Sequence, residues 1–382
     1  MLKCDSNLFS FLTEIASSPG EYLREMKREA GVKVIGSVSS WIPAEIIEAA
    51  GAVFFRVPFF STNFFKSGAH IQSNVCAFAK GFLEMGLKGN LDFLDAVVFP
   101  SLCDTVQGLG DIWREAIKNI PAINFYMPVN MVSSASLNFL ESEIKDFARK
   151  ISAITKVEVT DSRLKEAIDL WSRRRKVVRS FYSLTAFPSS PLTMVEKYAV
   201  IRGADLIPLE KIDKLMNFES LDVHDVNKTP VFLVGSVLPF PSFFKLLDDL
   251  SIYIVDDYIC SGRAFWGYDD GSDCKGDESP WVFVAKGLLS RTAGAVKFNP
   301  DSEGKSLVDR IKKSGMKNIL WVTQKFCDPW AWQYSILEKI LEKMGCRVLR
   351  LEISDVAGEE AMLKTRLESF VQVYQMGMEF YR

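Results

Sequence analysis

The feature that most constrains this chain is an alternation of apolar, strand-like runs with amphipathic helical patterns, which occurs twice along its 382 residues. The strand-like runs of the first series are "VKVIGSV", "AVFFRVP", "DAVVFPSL" and "AINFYMPV". Short continuous apolar runs indicate strands buried on both faces, and helices between such strands are typical of a parallel sheet. We therefore predict an α/β fold in which each series forms a doubly wound, Rossmann- or flavodoxin-like parallel-sheet unit.

The second series begins after "NKTP" and contains the runs "VFLVGSV", "IYIVDDYI", "NILWVTQ" and "CRVLRLEI". Between the two series, from about residue 134 to 218, the pattern is almost entirely helical. We predict an N-terminal helical segment, a first α/β domain, a helical middle segment and a second α/β domain. Their predicted bounds are 1–30, 31–133, 134–226 and 227–382.

The clearest helix of the middle segment is "SRLKEAIDLWSRRRKVVRSFYSL". Its apolar residues fall near a 3–4 spacing, which indicates one buried face. These apolar residues are Leu164, Ala167, Ile168, Trp171, Val178 and Tyr182. A basic cluster at residues 173–176 occupies the rest of the helix. We expect a solvated helix face there; the alternative is a site for a phosphate-bearing ligand or an acidic partner.

Composition narrows the possible functions. Hydrophobic residues make up 48% and charged residues 25% of the chain, as in ordinary globular proteins. The formal net charge is −2, so no global basic field attracts nucleic acid. The amphipathic, acid-containing N-terminus does not look like a signal peptide, and two prolines break the longest uncharged run. We expect a cytoplasmic protein that binds neither nucleic acid nor a membrane.

Several common catalytic and nucleotide-binding motifs are absent from this sequence. There is no glycine-rich dinucleotide motif after the first strand, no P-loop and no nucleophile elbow. The two histidines, His70 and His224, have no partner at a metal-ligand spacing. The chain has seven cysteines, which in a cytoplasmic protein are more often thiols or metal ligands than disulfides.

Four of these cysteines lie where ligands of parallel sheets collect. Cys103, Cys260 and Cys327 follow strand-like runs directly, and Cys76 begins a helix expected to face the same rim. Thiolates that converge on one rim suit an iron–sulfur cluster or zinc. The alternative is that each is a small buried apolar residue, as free cysteines usually are. We expect this ordinary role for the remaining cysteines, Cys4, Cys274 and Cys346.

Six motifs share their order and separations with one family. They are "SSWIPAEIIEAAG", "NVCAFAKG", "FPSLCDT", "DDYICSGRAFW", "KFCDPW" and "LKTRLESF". Over nearly its whole length the chain resembles the 2-hydroxyacyl-CoA dehydratase and benzoyl-CoA reductase family, in particular its 2-hydroxyglutaryl-CoA dehydratase D-component-like subunits. The resemblance implies a [4Fe–4S] cluster in a cleft between two α/β units. Three cysteines would hold it, and the matching residues are Cys76, Cys103 and Cys327.

The resemblance also suggests residues around the cluster. Ser40 matches a small hydroxyl residue near the iron that lacks a cysteine ligand; the alternative is a turn hydroxyl before the next helix. Asp256, Asp257, Gly262 and Arg263 match a segment near the acyl-CoA site. We expect Arg263 to pair with a phosphate or carboxylate of the substrate, or else to form an ordinary ion pair between domains.

The function implied by the resemblance is a catalytic subunit. An ATP-dependent activator iron–sulfur protein would supply one electron, a ketyl radical would form on an acyl-CoA thioester, and water would be eliminated. The alternatives are a benzoyl-CoA reductase-type subunit, and an electron-transfer or scaffold subunit that does not bind substrate itself. The expected partner is a homologous second subunit or a second copy of the chain. An offshoot with two bridged clusters would need further ligands, which Cys260 and Cys274 could supply.

Overall fold

The computed structural model describes residues 6–58, 64–188, 190–213, 228–266, 278–291, 294–297, 304–354 and 356–379. Cys4, His224 and Cys274 lie outside these ranges, as does the predicted domain boundary between residues 226 and 227. Within the ranges we find no helix with the length and apolar character that a membrane span requires.

The first sheet has four parallel strands, which are buried almost throughout. They are β1 (Lys33–Ser37), β2 (Ala52–Arg56), β3 (Ala96–Pro100) and β4 (Ala122–Phe125). Their spatial order is β2-β1-β3-β4. The connection after β1 leads to one side of the sheet and the connection after β3 leads to the other. A crevice therefore opens between the carboxyl ends of β1 and β3.

The second sheet also has four parallel strands. They are β5 (Thr229–Gly235), β6 (Ile252–Ile259), β7 (Asn318–Gln324) and β8 (Arg347–Ile353). Their order, β6-β5-β7-β8, repeats that of the first sheet. Both sheets thus have the flavodoxin-like order. The predicted α/β class with two parallel-sheet units is confirmed.

Helices cover the sheets and fill the middle of the chain. Those before and within the first sheet are α1 (Ser6–Ser17), α2 (Pro19–Ala30), α3 (Ala44–Ala49), α4 (Ala77–Leu87) and α5 (Asp104–Ala116). The middle helices are α6 (Ser134–Thr155), α7 (Asp161–Leu184), α8 (Met194–Gly203) and α9 (Leu209–Asp213). The remaining helices are α10 (Ser242–Asp249), α11 (Arg263–Trp266), α12 (Pro280–Ser290), α13 (Lys305–Ser314), α14 (Asp328–Lys343) and α15 (Val356–Glu379).

The middle helices join the cores of the two units. Helix α7 packs against α3 of the first unit and against α11 and α12 of the second. At its centre, Trp171 lies 6.0 Å from the ring of Phe54 and stacks on Trp266 at 6.3 Å. The apolar face predicted for α7 is buried along its whole length. One continuous hydrophobic core therefore extends across both units and fixes the cleft between them.

The basic cluster of α7 corrects one prediction. Arg173 and Lys176 are exposed, as expected for a solvated face. Arg174 and Arg175 are buried, so the prediction is wrong for these two. Helix α7 packs on several sides, which buries more of its circumference than its apolar spacing indicates. Arg174 donates to the backbone carbonyls of Ala204 and Ile207 at 2.9 and 2.7 Å, which anchors the helix to the chain that follows α8.

Arg175 forms a buried ion pair with Glu45 at the start of α3. The two side chains lie 2.7 Å apart and are 4% and 5% exposed. Burial by itself raises the pKa of the Glu45 carboxyl, but the nearby Arg175 and Arg291 more than offset this, and the pKa is lowered overall. Glu45 is therefore ionised at neutral pH and depends on its arginine neighbours.

We expect Arg175→Met to destabilise the protein by about 3–5 kcal/mol, because it leaves the Glu45 carboxylate buried without its closest partner. Urea unfolding followed by circular dichroism measures this change. The adjacent exposed residue supplies the control: Lys176→Met removes the same charge and should change stability by less than about 0.5 kcal/mol. Equal stabilities for the two variants would contradict the importance of the buried pair.

Candidate functional site

Three of the predicted cysteines each cap the N-terminus of a helix. Cys76 precedes α4, Cys103 joins β3 to α5, and Cys327 lies between β7 and α14. Cys103 and Cys327 occupy equivalent places, because each follows the third strand of its sheet. The first turn of a helix carries partial positive charge from its free N–H groups, which favours negative charge at the capping residue.

The same three cysteines line one cavity between the two units, of about 460 Å³. Cys76 and Cys103 come from the first unit and Cys327 from the second. Apolar residues complete much of the wall, including Leu102, and Trp332 on α14. The structure thus brings together residues that are up to about 250 positions apart in the chain, counted from 76 to 327.

An unusual backbone conformation precedes the third cysteine. Phe326 has φ of +65°, in the left-handed region that a bulky residue rarely adopts. This turn lets the backbone N–H of Cys327 bond to the carbonyl of Gln324 at 3.0 Å and places the cysteine at the start of α14. Phe326 itself lines the cavity. Such strain is concentrated at functional sites, and no local pattern in "KFCDPW" reveals it.

Burial controls the acidity of these thiols. It raises the pKa of Cys76 to about 11, and it raises the pKa of Cys103 and Cys327 as well. The neighbouring Cys76 adds to the effect at Cys327. Hydrogen bonds from first-turn N–H groups of the capped helices lower these pKa values, but burial has the larger effect. The thiols are therefore protonated at neutral pH unless a cation displaces their protons.

Three thiols around one cavity are a donor set that a multinuclear cluster can use. Among the residues that the structure describes, no three His, Cys, Asp or Glu side chains lie close enough to surround one metal ion. Zn²⁺ would need its ligands within roughly 2.0–2.3 Å of one point. In a [4Fe–4S] cluster each thiolate binds a different iron, so the donors need only surround the cavity. Cys76, Cys103 and Cys327 meet that requirement.

A buried lysine that sequence reasoning missed lies beside Cys103. Lys297 is 3% exposed and donates to the backbone carbonyls of Ser101 at 2.6 Å and Met127 at 3.3 Å. Burial lowers its pKa to about 8, while the nearby Cys103 acts to raise it. Lys297 comes from the second unit and both carbonyls from the first. It therefore fastens the two units together and brings a positive charge next to the cavity.

Ser40 lies outside the wall of the cysteine cavity. It is buried in the loop between β1 and α3, and its hydroxyl donates to the carbonyl of Cys260 at 2.9 Å. Arg291 donates in turn to the carbonyl of Ser40. Ser40 is therefore a link between the units rather than a local turn hydroxyl. Its predicted catalytic role stays a prediction.

Arg263 and Gly262 are also held by internal partners. Arg263 pairs with Asp256 at 3.0 Å, and its guanidinium lies 4.1 Å above the ring of Tyr182. Arg310 binds the second carboxylate oxygen of Asp256 at 3.1 Å. Gly262 lies so close to the carboxylate of Asp257 that there is no room for a side chain. Neither residue lines the cysteine cavity, and their predicted role in substrate binding stays a prediction.

Asp257 fixes the conformation of the turn after β6, which contains Gly262 and Arg263. It is fully buried and accepts hydrogen bonds from the hydroxyls of Tyr182 and Tyr198, both at 2.7 Å. It also accepts the backbone N–H of Arg263 at 2.8 Å. The middle helices thus hold the turn after β6 in place.

Two further cysteines have different surroundings. Cys260 lies at the end of β6, where burial raises its pKa to about 11. It lines two smaller pockets next to the cysteine cavity, and whether it binds iron stays open. Cys346 immediately precedes β8, at the opposite edge of the sheet from the cavity. This position agrees with the ordinary role expected for it.

Comparison with known proteins identifies a family model and several relatives. The model described as "2-hydroxyglutaryl-CoA dehydratase, D-component" matches residues 39–373, which include Cys76, Cys103 and Cys327. The chain is 23% identical to the lactoyl-CoA dehydratase subunit beta of Anaerotignum propionicum, over 96% of this chain and 98% of that protein. It is 24% identical to the (R)-2-hydroxyglutaryl-CoA dehydratase subunit beta of Acidaminococcus fermentans, over 96% and 99%. It is also 23% identical to a benzoyl-CoA reductase subunit of Thauera aromatica, over 78% and 79%.

We expect Cys76, Cys103 and Cys327 to react slowly with iodoacetamide at pH 7 in the folded, metal-free protein, because only the thiolate is nucleophilic. For Cys76 the rate should rise about tenfold per pH unit until the pH nears its pKa of about 11. Peptide mass spectrometry measures the modification. The urea-unfolded chain is the control, since its thiols should have a pKa of about 8.5. A rate that levels off below pH 9 in the folded protein would contradict the prediction.

Proposed function

Because the chain belongs to the 2-hydroxyglutaryl-CoA dehydratase D-component family, we propose that it is the iron–sulfur subunit of a 2-hydroxyacyl-CoA dehydratase-type enzyme. In this proposal Cys76, Cys103 and Cys327 hold a [4Fe–4S] cluster. The observation that carries it is the convergence of these three cysteines, from two α/β units, on one cavity. The family and the relatives named as dehydratase subunits support the same conclusion.

The bound cluster would supply a single low-potential electron, received from an ATP-dependent activator, to an acyl-CoA thioester that then loses water. The chain's own contribution is electrostatic and steric. The N-termini of α4, α5 and α14 and the ammonium of Lys297 offset the negative charge of three thiolates. Leu102 and Trp332 supply apolar surface to the wall of the site.

The relatives and the free thiols also suggest the partner, the location and an alternative reaction of the protein. Several relatives are named as subunits, so we propose that the chain works with a homologous second subunit or with a second copy of itself. The five cysteines in the described ranges are free thiols, which suits the reducing cytoplasm that we propose as its location. Reduction of an aromatic ring, suggested by the benzoyl-CoA reductase relative, is the alternative reaction.

One observation favours a second candidate function. Ser40 and Arg263, the residues expected to face the substrate, are bound to internal partners and do not line the cysteine cavity. This arrangement suits an electron-transfer or scaffold subunit whose partner subunit binds the thioester. The two candidates share the cluster and differ in whether this chain meets the substrate.

We expect anaerobically purified or reconstituted protein to contain about four iron and four sulfide per chain. Cys76→Ser, Cys103→Ser and Cys327→Ser should each lose most of this iron, because serine replaces a thiolate ligand. Iron and acid-labile sulfide assays on the folded variants measure the loss.

Cys346→Ser is the matched control for these variants, since it changes a half-buried thiol at the far edge of the sheet. It should retain full iron. Loss of about half the iron in Cys260→Ser would indicate the bridged double cluster instead. A folded wild-type chain that takes up no iron under anaerobic reconstitution would overturn the proposal.

We expect an acyl-CoA thioester to change the electron paramagnetic resonance spectrum of the reduced protein, because a ligand in the cavity alters the surroundings of the irons. Free CoA at the same concentration is the control and should have less effect. An unchanged spectrum across a panel of thioesters, from a chain that still exchanges electrons with its partner, would favour the electron-transfer or scaffold function.

A further inference from the structure

Helix α14 has two apolar faces, although a helix that covers a sheet needs only one. The first face is buried in the core of the second sheet and includes Trp330, Leu337 and Leu341. The second face consists of Trp332, Ile336 and Ile340, which are 73%, 67% and 41% exposed. These three residues are spaced four apart, so they form one row along the helix. We call this row the α14 ridge.

The α14 ridge borders the cysteine cavity. Trp332 and Ile336 line the cavity and are also largely exposed, so its wall continues onto the surface of the protein. Phe326, which is 46% exposed, lies on the same wall. Exposed apolar side chains that lie together mark a surface that binds another protein, and tryptophan is enriched at such interfaces. A partner on the α14 ridge would therefore cover this side of the cavity.

Charged residues at the two ends of α14 indicate which partner fits. Asp328 is the first residue of the helix and Lys343 is the last, and both are exposed. Within the part of the chain that the structure describes, neither forms an ion pair. At 3.6 residues per turn, Lys343 lies in line with the ridge, and Asp328 and Lys339 lie beside it on one flank. The ridge thus has an acid at its start and two bases toward its end.

This arrangement is complementary to itself. In an isologous interface the same patch of two copies meets across a two-fold axis. If two α14 helices pack antiparallel with the axis at Ile336, residues equally far before and after Ile336 face each other. Trp332 then packs on the partner's Ile340, and Asp328 lies almost opposite the partner's Lys343. A parallel packing would instead bring Asp328 beside Asp328 and Lys343 beside Lys343.

We propose that the α14 ridge is an interface between two copies of this chain, which pack antiparallel across a two-fold axis. The inference names the partner at the cysteine site and in that respect rests on the proposed function. Each copy covers the exposed α14 wall of the other's cavity and removes its apolar side chains from water. The wall of the cavity is therefore completed only in the dimer.

Sedimentation equilibrium of the full, metal-free chain tests the ridge, and the wild type should form a dimer at micromolar concentration. Ile336→Asp should raise the dimer Kd roughly 100-fold or more, because it places two carboxylates side by side at the axis. Val129→Asp is the matched control, since Val129 is 70% exposed on the loop after β4 and lies outside the ridge. This variant should dimerise like the wild type. Circular dichroism confirms that each variant is folded.

Charge reversal tests the antiparallel arrangement. Asp328→Lys and Lys343→Asp should each raise the dimer Kd roughly 10-fold, because each places like charges together at both ends of the interface. The double variant should recover most of the wild-type affinity, since opposite charges meet again. Both substitutions also oppose the helix dipole, but that loss persists in the double variant and cannot produce the recovery.

Three results would overturn the inference. One is a wild-type chain that stays monomeric up to about 100 μM, which would leave the ridge to a different subunit. Another is a dimer that Ile336→Asp does not weaken, since its interface would then lie elsewhere. The third is a double charge reversal that weakens the dimer further instead of restoring it.

These results are distinguishable from failure of the proposed function, because the dimer is measured without metal. A chain that dimerises through the ridge but takes up no iron would count against the proposed function alone. A chain that holds its full iron as a monomer would count against this inference alone.

Discussion

The site depends on hydrogen bonds that cross the cleft between the two α/β units. In each, a side chain of one unit donates to a backbone carbonyl at the carboxyl end of a strand in the other. Lys297 donates to Ser101, Ser40 to Cys260 and Arg56 to Ser261. Carbonyls at strand ends have lost their partners in the sheet, so burying them in a cleft requires such donors. The contacts that satisfy the backbone thus add to the shared hydrophobic core in holding the two halves of the cysteine cavity together.

Positive charge in the cleft is the second organising feature. The chain as a whole carries a net charge of −2. Its cleft nevertheless brings together three helix N-termini and the ammonium of Lys297. Asp104 and Asp328, in the first turns of two of these helices, also line the cysteine cavity. Thiolates around a cluster would add negative charge beside these positive groups, which gives the proposed cluster site a physical basis.

The segment "DDYICSGRAFW" contributes both to the packing between elements and to the hydrogen bonds at the cleft. Asp257 and Asp256 are acceptors for two tyrosines and two arginines, and they hold the turn that presents Cys260 to the cleft. Phe265 and Trp266, a few residues later, pack on Trp171 in the middle helix. A motif that resembles part of a substrate site is therefore also the joint between the second sheet and the helical middle segment.

The sequence by itself determined the architecture and the positions of the cysteines relative to the strands. The runs "IYIVDDYI" and "NILWVTQ" coincide with β6 and β7 to the residue, because parallel strands buried on both faces are continuous apolar runs. Since Cys103 and Cys327 follow such runs directly, their location at the carboxyl edge of a sheet follows from local pattern alone. Cys76 was expected at the same rim because it begins a helix, and the family resemblance then implied that Cys76, Cys103 and Cys327 are the cluster ligands.

Only the tertiary structure decided which polar groups meet. Ser40 and Cys260 are 220 positions apart, and Lys297 and Ser101 are 196 apart. No periodicity in the sequence relates such pairs. The same limit explains why Arg174 and Arg175 are buried despite their basic run. Local pattern fixes which face of an element is apolar, whereas the partner of a buried charge depends on how distant elements pack.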